Sequence, residues 1–316
     1  MPPIGLARRE LILMLAAGLA SCAKPAGKPP LRIGFQRSGV LLLAKSRHGL
    51  DRPLKDLASA VTWVEFPSGP PMMEAMAAGA IDLGAVGDSP PIFAQAAGSP
   101  IVYVAAQPVT GASEALLVPP GSAALSVSDL KGKKVAFTKG SSAHLFTYRA
   151  LKQAGLSLSD IQPVYLSPGD AAGAFGSGAI DAWTTWDPYY ALAVRDQKAR
   201  ALLTGEAVAK TSTFYVATRR FAEGSPAVLS AALTALKAQA AWGMAHVADV
   251  AGVVSAASGL PQDIVTASLR RGVYAVDPID DAVIATQQAS ADAFLEMGAI
   301  PKRVDVAAAV WKGWAG

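Results

Sequence analysis

The chain has 316 residues, a formal net charge of +4, 52% apolar residues against 16% charged ones, and one cysteine. That length accommodates two modest domains, each with its own core. The positive charge is scattered over Arg195, Lys198, Arg200, Arg219, Arg220, Arg270 and Arg271, with no basic run interleaved with aromatics, so nucleic acid is not the expected partner. A mildly basic surface is compatible with a small anionic ligand.

At the N-terminus, Arg8-Arg9 precedes an apolar run over residues 11–19 that is too short to span a bilayer, and Leu19-Ala-Ser-Cys22 closes it. The pattern is that of an export signal. Its last four residues resemble a bacterial lipobox, in which the cysteine becomes the lipidated first residue of the mature chain. The paired arginines leave open whether the route is general or twin-arginine export. Cys22 is the single thiol, so the mature fold is expected to use no disulfide. Residues 23–30 read as a Pro/Lys-rich tether. No later segment is long and apolar enough to cross a membrane, which predicts a chain anchored to the membrane without spanning it.

The first expected strand covers 31–36, followed by a corner at Arg37-Ser38-Gly39 and a helix over 40–46, with His48 where that helix should end as a partner for its dipole. A strand over 61–66 and a helix over 70–78 lead into Gly79-Ala-Ile-Asp82. The corner Asp88-Ser89-Pro90 can cap the next helix, 90–97, and a strand follows at 101–106. The extended run 114–118 opens a second unit: strand 134–138, corner Gly140-Ser141-Ser142, a helix stopped by Gly155, strand 163–166, then Gly178-Ala-Ile-Asp181. Residues 214–218 are extended and apolar again and should return the chain to the first unit. Beyond Ser225-Pro226 the composition is helical, with helices over 226–246, 250–258, 261–270 and 279–297 expected on the outside of the first unit.

The chain therefore repeats itself. Gly-Ala-Ile-Asp occurs at 79–82 and 178–181, a second Asp stands six positions on in each copy (Asp88 and Asp187), and Arg32-Ile-Gly-Phe35 is answered by Lys134-Val-Ala-Phe137. Repetition on this scale points to two similar α/β lobes with a ligand held between them. The fold class is α/β, two-lobed, with lobe one discontinuous (31–113 and 219–316), lobe two inserted (114–218), and two crossing strands acting as a hinge. Each polar corner offers a helix N-terminus at the carboxyl end of a strand, where anions are commonly seated.

The residue constellations of enzymes are missing. The three histidines, His48, His144 and His246, are far apart, without metal-ligand spacing. Gly140-Ser-Ser-Ala-His144 lacks both the closing glycine of a nucleophile elbow and the Gly-Lys-Ser/Thr of a phosphate loop. The two Asp pairs read as caps and strand-end structure more readily than as acid/base dyads. No metal or cofactor is expected.

Ile33-Gly-Phe-Gln-Arg-Ser-Gly39, Trp63-Val-Glu-Phe-Pro-Ser-Gly-Pro70, Val86-Gly-Asp-Ser-Pro-Pro91, Lys139-Gly-Ser-Ser-Ala-His144 and Asp181-Ala-Trp-Thr-Thr-Trp-Asp-Pro188 resemble the periplasmic aliphatic-sulfonate-binding proteins of ABC importers, over nearly the whole mature chain. The resemblance implies a type 2 periplasmic-binding-protein fold that closes about a hinge, and delivery of the ligand to a membrane permease driven by an ATPase. It also implies a monomeric, lipid-anchored receptor in the periplasm. Carried over by motif, lobe one would bind through Gln36, Ser38 and Gly39 and through Gly87, Asp88 and Ser89. Lobe two would add Ser141, Ser142 and His144, then Trp186 and Asp187, with Phe214 near the returning crossover. Relatives of this fold take taurine, nitrate or pyrimidine precursors, and some are enzymes, so those readings stay open. Trp183 is expected in the core and Trp186 at the ligand's organic tail. Asp187 is awkward beside an anion and would suit an ammonium group.

Overall fold

A computed structural model describes residues 27–208 and 211–316; the export signal and Cys22 lie outside them. Among the described residues ten strands, numbered along the chain, form two sheets. The first contains β1 (Leu31–Phe35), β2 (Val61–Glu65), β3 (Leu83–Val86), β4 (Ile101–Val109) and β10 (Thr211–Thr218), in the order β2-β1-β3-β10-β4. The second contains β5 (Glu114–Val118), β6 (Lys134–Phe137), β7 (Gln162–Tyr165), β8 (Ala182–Trp186) and β9 (Arg200–Thr204), in the order β7-β6-β8-β5-β9.

The two sheets share one plan. Each has a parallel triplet followed by a strand that has just crossed from the other lobe and pairs antiparallel to its neighbours. The repeated Gly-Ala-Ile-Asp has one job in both. The Arg32 backbone N–H donates to Asp82 Oδ2 at 3.0 Å, and the Lys134 N–H donates to Asp181 Oδ2 at 2.8 Å. In return, the Asp82 and Asp181 N–H groups donate to the carbonyls of Arg32 and Lys134. The carboxylates thus satisfy a donor in the first two residues of β1 and of β6 and tie each strand to the one beside it. Asp82 is also gripped by the Arg32 guanidinium at 2.6 and 2.8 Å.

Helices fill the crossovers: α1 (Val40–Ser46), α2 (Asp51–Leu54), α3 (Gly69–Ala77) and α4 (Ser89–Ala96) in lobe one, then α5 (Ser142–Gln153), α6 (Pro168–Gly176) and α7 (Tyr189–Gln197) in lobe two. The chain ends with α8 (Arg219–Gly224), α9 (Pro226–Ala245), α10 (Val247–Ser258), α11 (Gln262–Arg271) and α12 (Asp281–Glu296). One lobe-one core lies between the first sheet, α1, α9 and α10; the other, under α3, α4 and α12, takes in Tyr103 and Phe214. Trp183 is buried in lobe two with Phe175 and Ile180. Among the described residues no single helix is long and apolar enough to cross a membrane.

Three expectations need correction. Residues 211–218, placed in lobe two by the sequence, belong to the first sheet: β10 pairs with β3 and β4, and Phe214 and Val216 are buried in that lobe's core. The crossings are therefore residues 110–113 and the stretch between β9 and β10, not 114–118 and 214–218. The last helices are not confined to the outside of lobe one, since α11 packs on α7 and α12 on α5 across the cleft. His48 does not serve the dipole of α1; it is exposed, with Nδ1 3.1 Å from Asp51 Oδ2.

Candidate functional site

A cavity of about 220 Å³ lies between the lobes. It sits at the carboxyl ends of β1, β3, β6 and β8, and the N-termini of α1, α4, α5 and α7 open onto it. Ser141 adopts an extended conformation just before α5, and Pro90-Pro91 starts α4 with residues that lack an N–H. The positive end of each helix dipole faces the ligand space, and α1 and α5, which have no proline in their first turn, keep their first backbone N–H groups as donors. At Gly87 the lobes come so close that an added Cβ would stand 3.2 Å from Ser142 Cβ.

Nine of the twelve residues assigned by motif line this cavity: Gln36, Ser38, Gly39, Gly87, Asp88, Ser141, Ser142, Trp186 and Asp187. Gln36 Nε2 donates to the Ala85 carbonyl at 3.2 Å, and Ser141 Oγ donates to the Thr138 carbonyl at 2.7 Å. Three of the twelve lie elsewhere. Ser89 is fully buried and donates to Asp88 Oδ1 at 2.8 Å. Phe214 points to the opposite face of β10, edge-on to Tyr103. His144 is held away from the cavity between Phe137 and Phe93, and its Nδ1 accepts from the Gly140 N–H. Burial, with Lys139 nearby, pushes the His144 imidazole down to about 4, so it is neutral and closes one rim of the cleft as an aromatic ring.

Asp88 is not the cap expected of it: its side chain makes no capping hydrogen bond to α4, and its Oδ2 is buried without a hydrogen-bond partner. Burial raises the Asp88 carboxyl above its ordinary range, against the opposing effect of the Ser89 hydroxyl and Arg149. Asp187 is already paired with a cation of the protein, not left for a ligand ammonium. It accepts two hydrogen bonds from Arg271, at 2.8 and 2.7 Å, and a third from the Ala191 N–H in the first turn of α7.

The sequence reading missed two groups at the cavity. Arg271 ends α11, where a basic residue is commonplace, and it stacks 4.4 Å from the Tyr190 ring centroid. Glu114 opens an apolar strand and accepts from Ser142 Oγ at 2.8 Å. Burial first, and then the neighbouring Asp88, push the Glu114 carboxyl up to about 8. Neither residue belongs to a local motif, because their partners lie 84 and 28 positions away. Among the described residues no group of three or more His, Cys, Asp or Glu could hold a metal ion.

Residues 61–249 match the family described as NMT1/THI5 like. A protein of Escherichia coli (strain K12) named for binding aliphatic sulfonates is 40% identical over 311 residues, 96% of this chain and 97% of that one. The alkanesulfonate-binding protein SsuA from Xanthomonas axonopodis pv. citri, solved bound to MOPS, superposes with a TM-score of 0.87 at 42% identity, covering 92% of this chain and all (100%) of the other. The periplasmic aliphatic sulphonate binding protein SsuA from Escherichia coli gives a TM-score of 0.82 at 41% identity over 90% and 92% of the two chains. With both the family match and these long, close alignments, the chain belongs to the NMT1/THI5-like family, in its group of aliphatic-sulfonate-binding proteins.

Proposed function

We propose that this protein is the solute-binding component of an ABC importer, capturing aliphatic sulfonates in the periplasm and handing them to a membrane permease driven by an ATPase. It acts as a monomer held at the membrane through lipidated Cys22, and it is a receptor, not an enzyme. The observation that carries the reading is the interlobe cavity, lined from both sides by helix N-termini and small polar residues. A sulfonate is a permanent anion with three acceptor oxygens and no proton to give. Backbone N–H groups at the α1 and α5 corners suit it, and each charge-assisted bond contributes about 1.5–3 kcal/mol. Micromolar affinity corresponds to roughly 8 kcal/mol, within reach of a few such bonds with the tail packed on Trp186. MOPS, the ligand of the Xanthomonas relative, is itself a substituted propanesulfonate.

Ligand that binds only the folded state raises stability by RT ln(1 + [L]/Kd), about 2.7 kcal/mol at a hundredfold excess over Kd. Ethanesulfonate should therefore raise the melting temperature by several degrees and propionate much less, because a planar carboxylate cannot engage donors disposed around a tetrahedral group. Equal shifts for sulfonate and carboxylate would defeat the sulfonate reading.

A further inference from the structure

We propose that Asp88 and Glu114, one carboxyl from each lobe, share a proton beneath the ligand cavity, and that capturing an anion requires this proton to be in place. The inference rests on the sulfonate reading and adds a proton-dependent step to it.

The geometry is specific. Asp88 lies at the end of β3 in lobe one and Glu114 at the start of β5 in lobe two. Both line the ligand cavity, and with Arg149 and Ser142 both line a smaller recess behind it. Each carboxyl has one seryl hydroxyl beside it, Ser89 on Asp88 and Ser142 on Glu114, and the second oxygen of Asp88 is enclosed without a partner. One cation, Arg149 of α5, faces the two acids, and it also reaches across to Ser290 of α12 at 3.1 Å. The other charged groups at the cavity do not offset them. Arg271 is committed to Asp187, and His144 is neutral behind the rim; Arg37 keeps its charge but donates to the Ser258 carbonyl at 2.6 Å and is not among the groups that act on either acid, whereas Arg149 acts on both. Tyr103, which reaches the Asp88 corner through Gln287, stays protonated because burial raises it.

The charges can then be counted. Two carboxylates and one guanidinium leave a net negative charge under the seat of an anion, in a place where water screens poorly. One proton on the pair brings the cluster to neutrality. It also gives the floor of the cavity an O–H that can donate to a sulfonate oxygen. Burial and mutual repulsion both favour retaining that proton, and together they push the Glu114 carboxyl up to about 8. A bound anion raises it further, so above that pH binding must draw a proton from the buffer.

The test is ethanesulfonate titration calorimetry on the purified protein from pH 6.5 to 9.5. The ligand does not titrate in this range. Sulfonate and phosphate buffers would compete as tetrahedral anions, so the amine buffers Tris and imidazole, which differ in ionisation enthalpy, are compared. The expected result is a Kd constant at low pH that rises up to tenfold per unit above about pH 8, with fractional proton uptake approaching one per ligand. Glu114→Gln should flatten the profile to within twofold and abolish the uptake, whatever its absolute affinity. Asp88→Asn should shift the break to lower pH. Binding with a flat profile and no uptake in the unmodified protein would overturn the proposal while leaving the sulfonate reading intact. An unchanged profile in both variants would do the same. No binding at any pH would remove both.

Discussion

Asp187 and Arg271 meet across the mouth of the cleft, one from lobe two and one from lobe one, through two hydrogen bonds of 2.7–2.8 Å. The Asp187 side chain is 7% exposed and that of Arg271 27%. Deleting one partner of so enclosed a pair strands the other charge, at a cost of about 3–5 kcal/mol, whereas replacing both is much milder. Arg271→Ala should therefore weaken ethanesulfonate binding by tenfold or more, since the stranded Asp187 would repel the ligand and the closed arrangement would lose its clasp. Asp187→Asn in the Arg271→Ala background should recover part of the loss. Calorimetry on the four members of the cycle checks this, and an Arg271→Ala Kd equal to the starting value would refute it. At this scale the motif carried Asp187 into the site but could not name its partner. An arginine in the last turn of an amphipathic helix looks like any dipole partner until α11 is laid against α7.

Between elements, the decisive feature is the point where the two crossings touch. Gly111 has φ +84°, and a Cβ there would stand 2.5 Å from the backbone carbon of Gly205 and from the nitrogen of Glu206. Gly98 has nearly the same φ, +82°, with nothing within 4 Å of the added atom, so it measures the left-handed penalty alone. Gly98→Ala should cost about 1–2 kcal/mol in urea unfolding. Gly111→Ala should cost clearly more, because two backbones must part. Equal losses would mean the crossings do not bear on each other. Most elements could be read from the sequence, the helix over 40–46 and the strand over 114–118 to the residue, because apolar runs ended in Gly, Ser-Pro or Asp-Ser-Pro punctuation. The crossing points could not. The stretch over 214–218 reads as extended and apolar, the polar residues 211–213 before it do not announce a strand, and nothing local says which sheet its edges will join; burial of Phe214 against Tyr103 decides that. The same blindness to partners placed Phe214 and His144 at the ligand when they pack one layer away.

Over the whole molecule, the lobes are in contact along both rims of the cleft. Arg195–Asp263 accompanies Asp187–Arg271 on one side, and Lys152–Glu296 accompanies Arg149–Ser290 on the other. The outer pairs are substantially exposed, and such pairs contribute about 0–1 kcal/mol each. Without ligand, closure therefore rests on weak contacts and on burying two carboxyls with their proton. A ligand that touches both lobes favours the closed state by the difference between its affinities for the closed and open forms. Small-angle scattering near pH 7 should show this directly. With saturating ethanesulfonate the radius of gyration should approach the compact value for the described residues, about 19 Å. Without ligand it should be larger, and larger again in high salt, which screens the outer pairs. Superimposable profiles with and without ligand, in protein shown by calorimetry to bind, would mean that the lobes do not hinge and that the cavity fills without their moving.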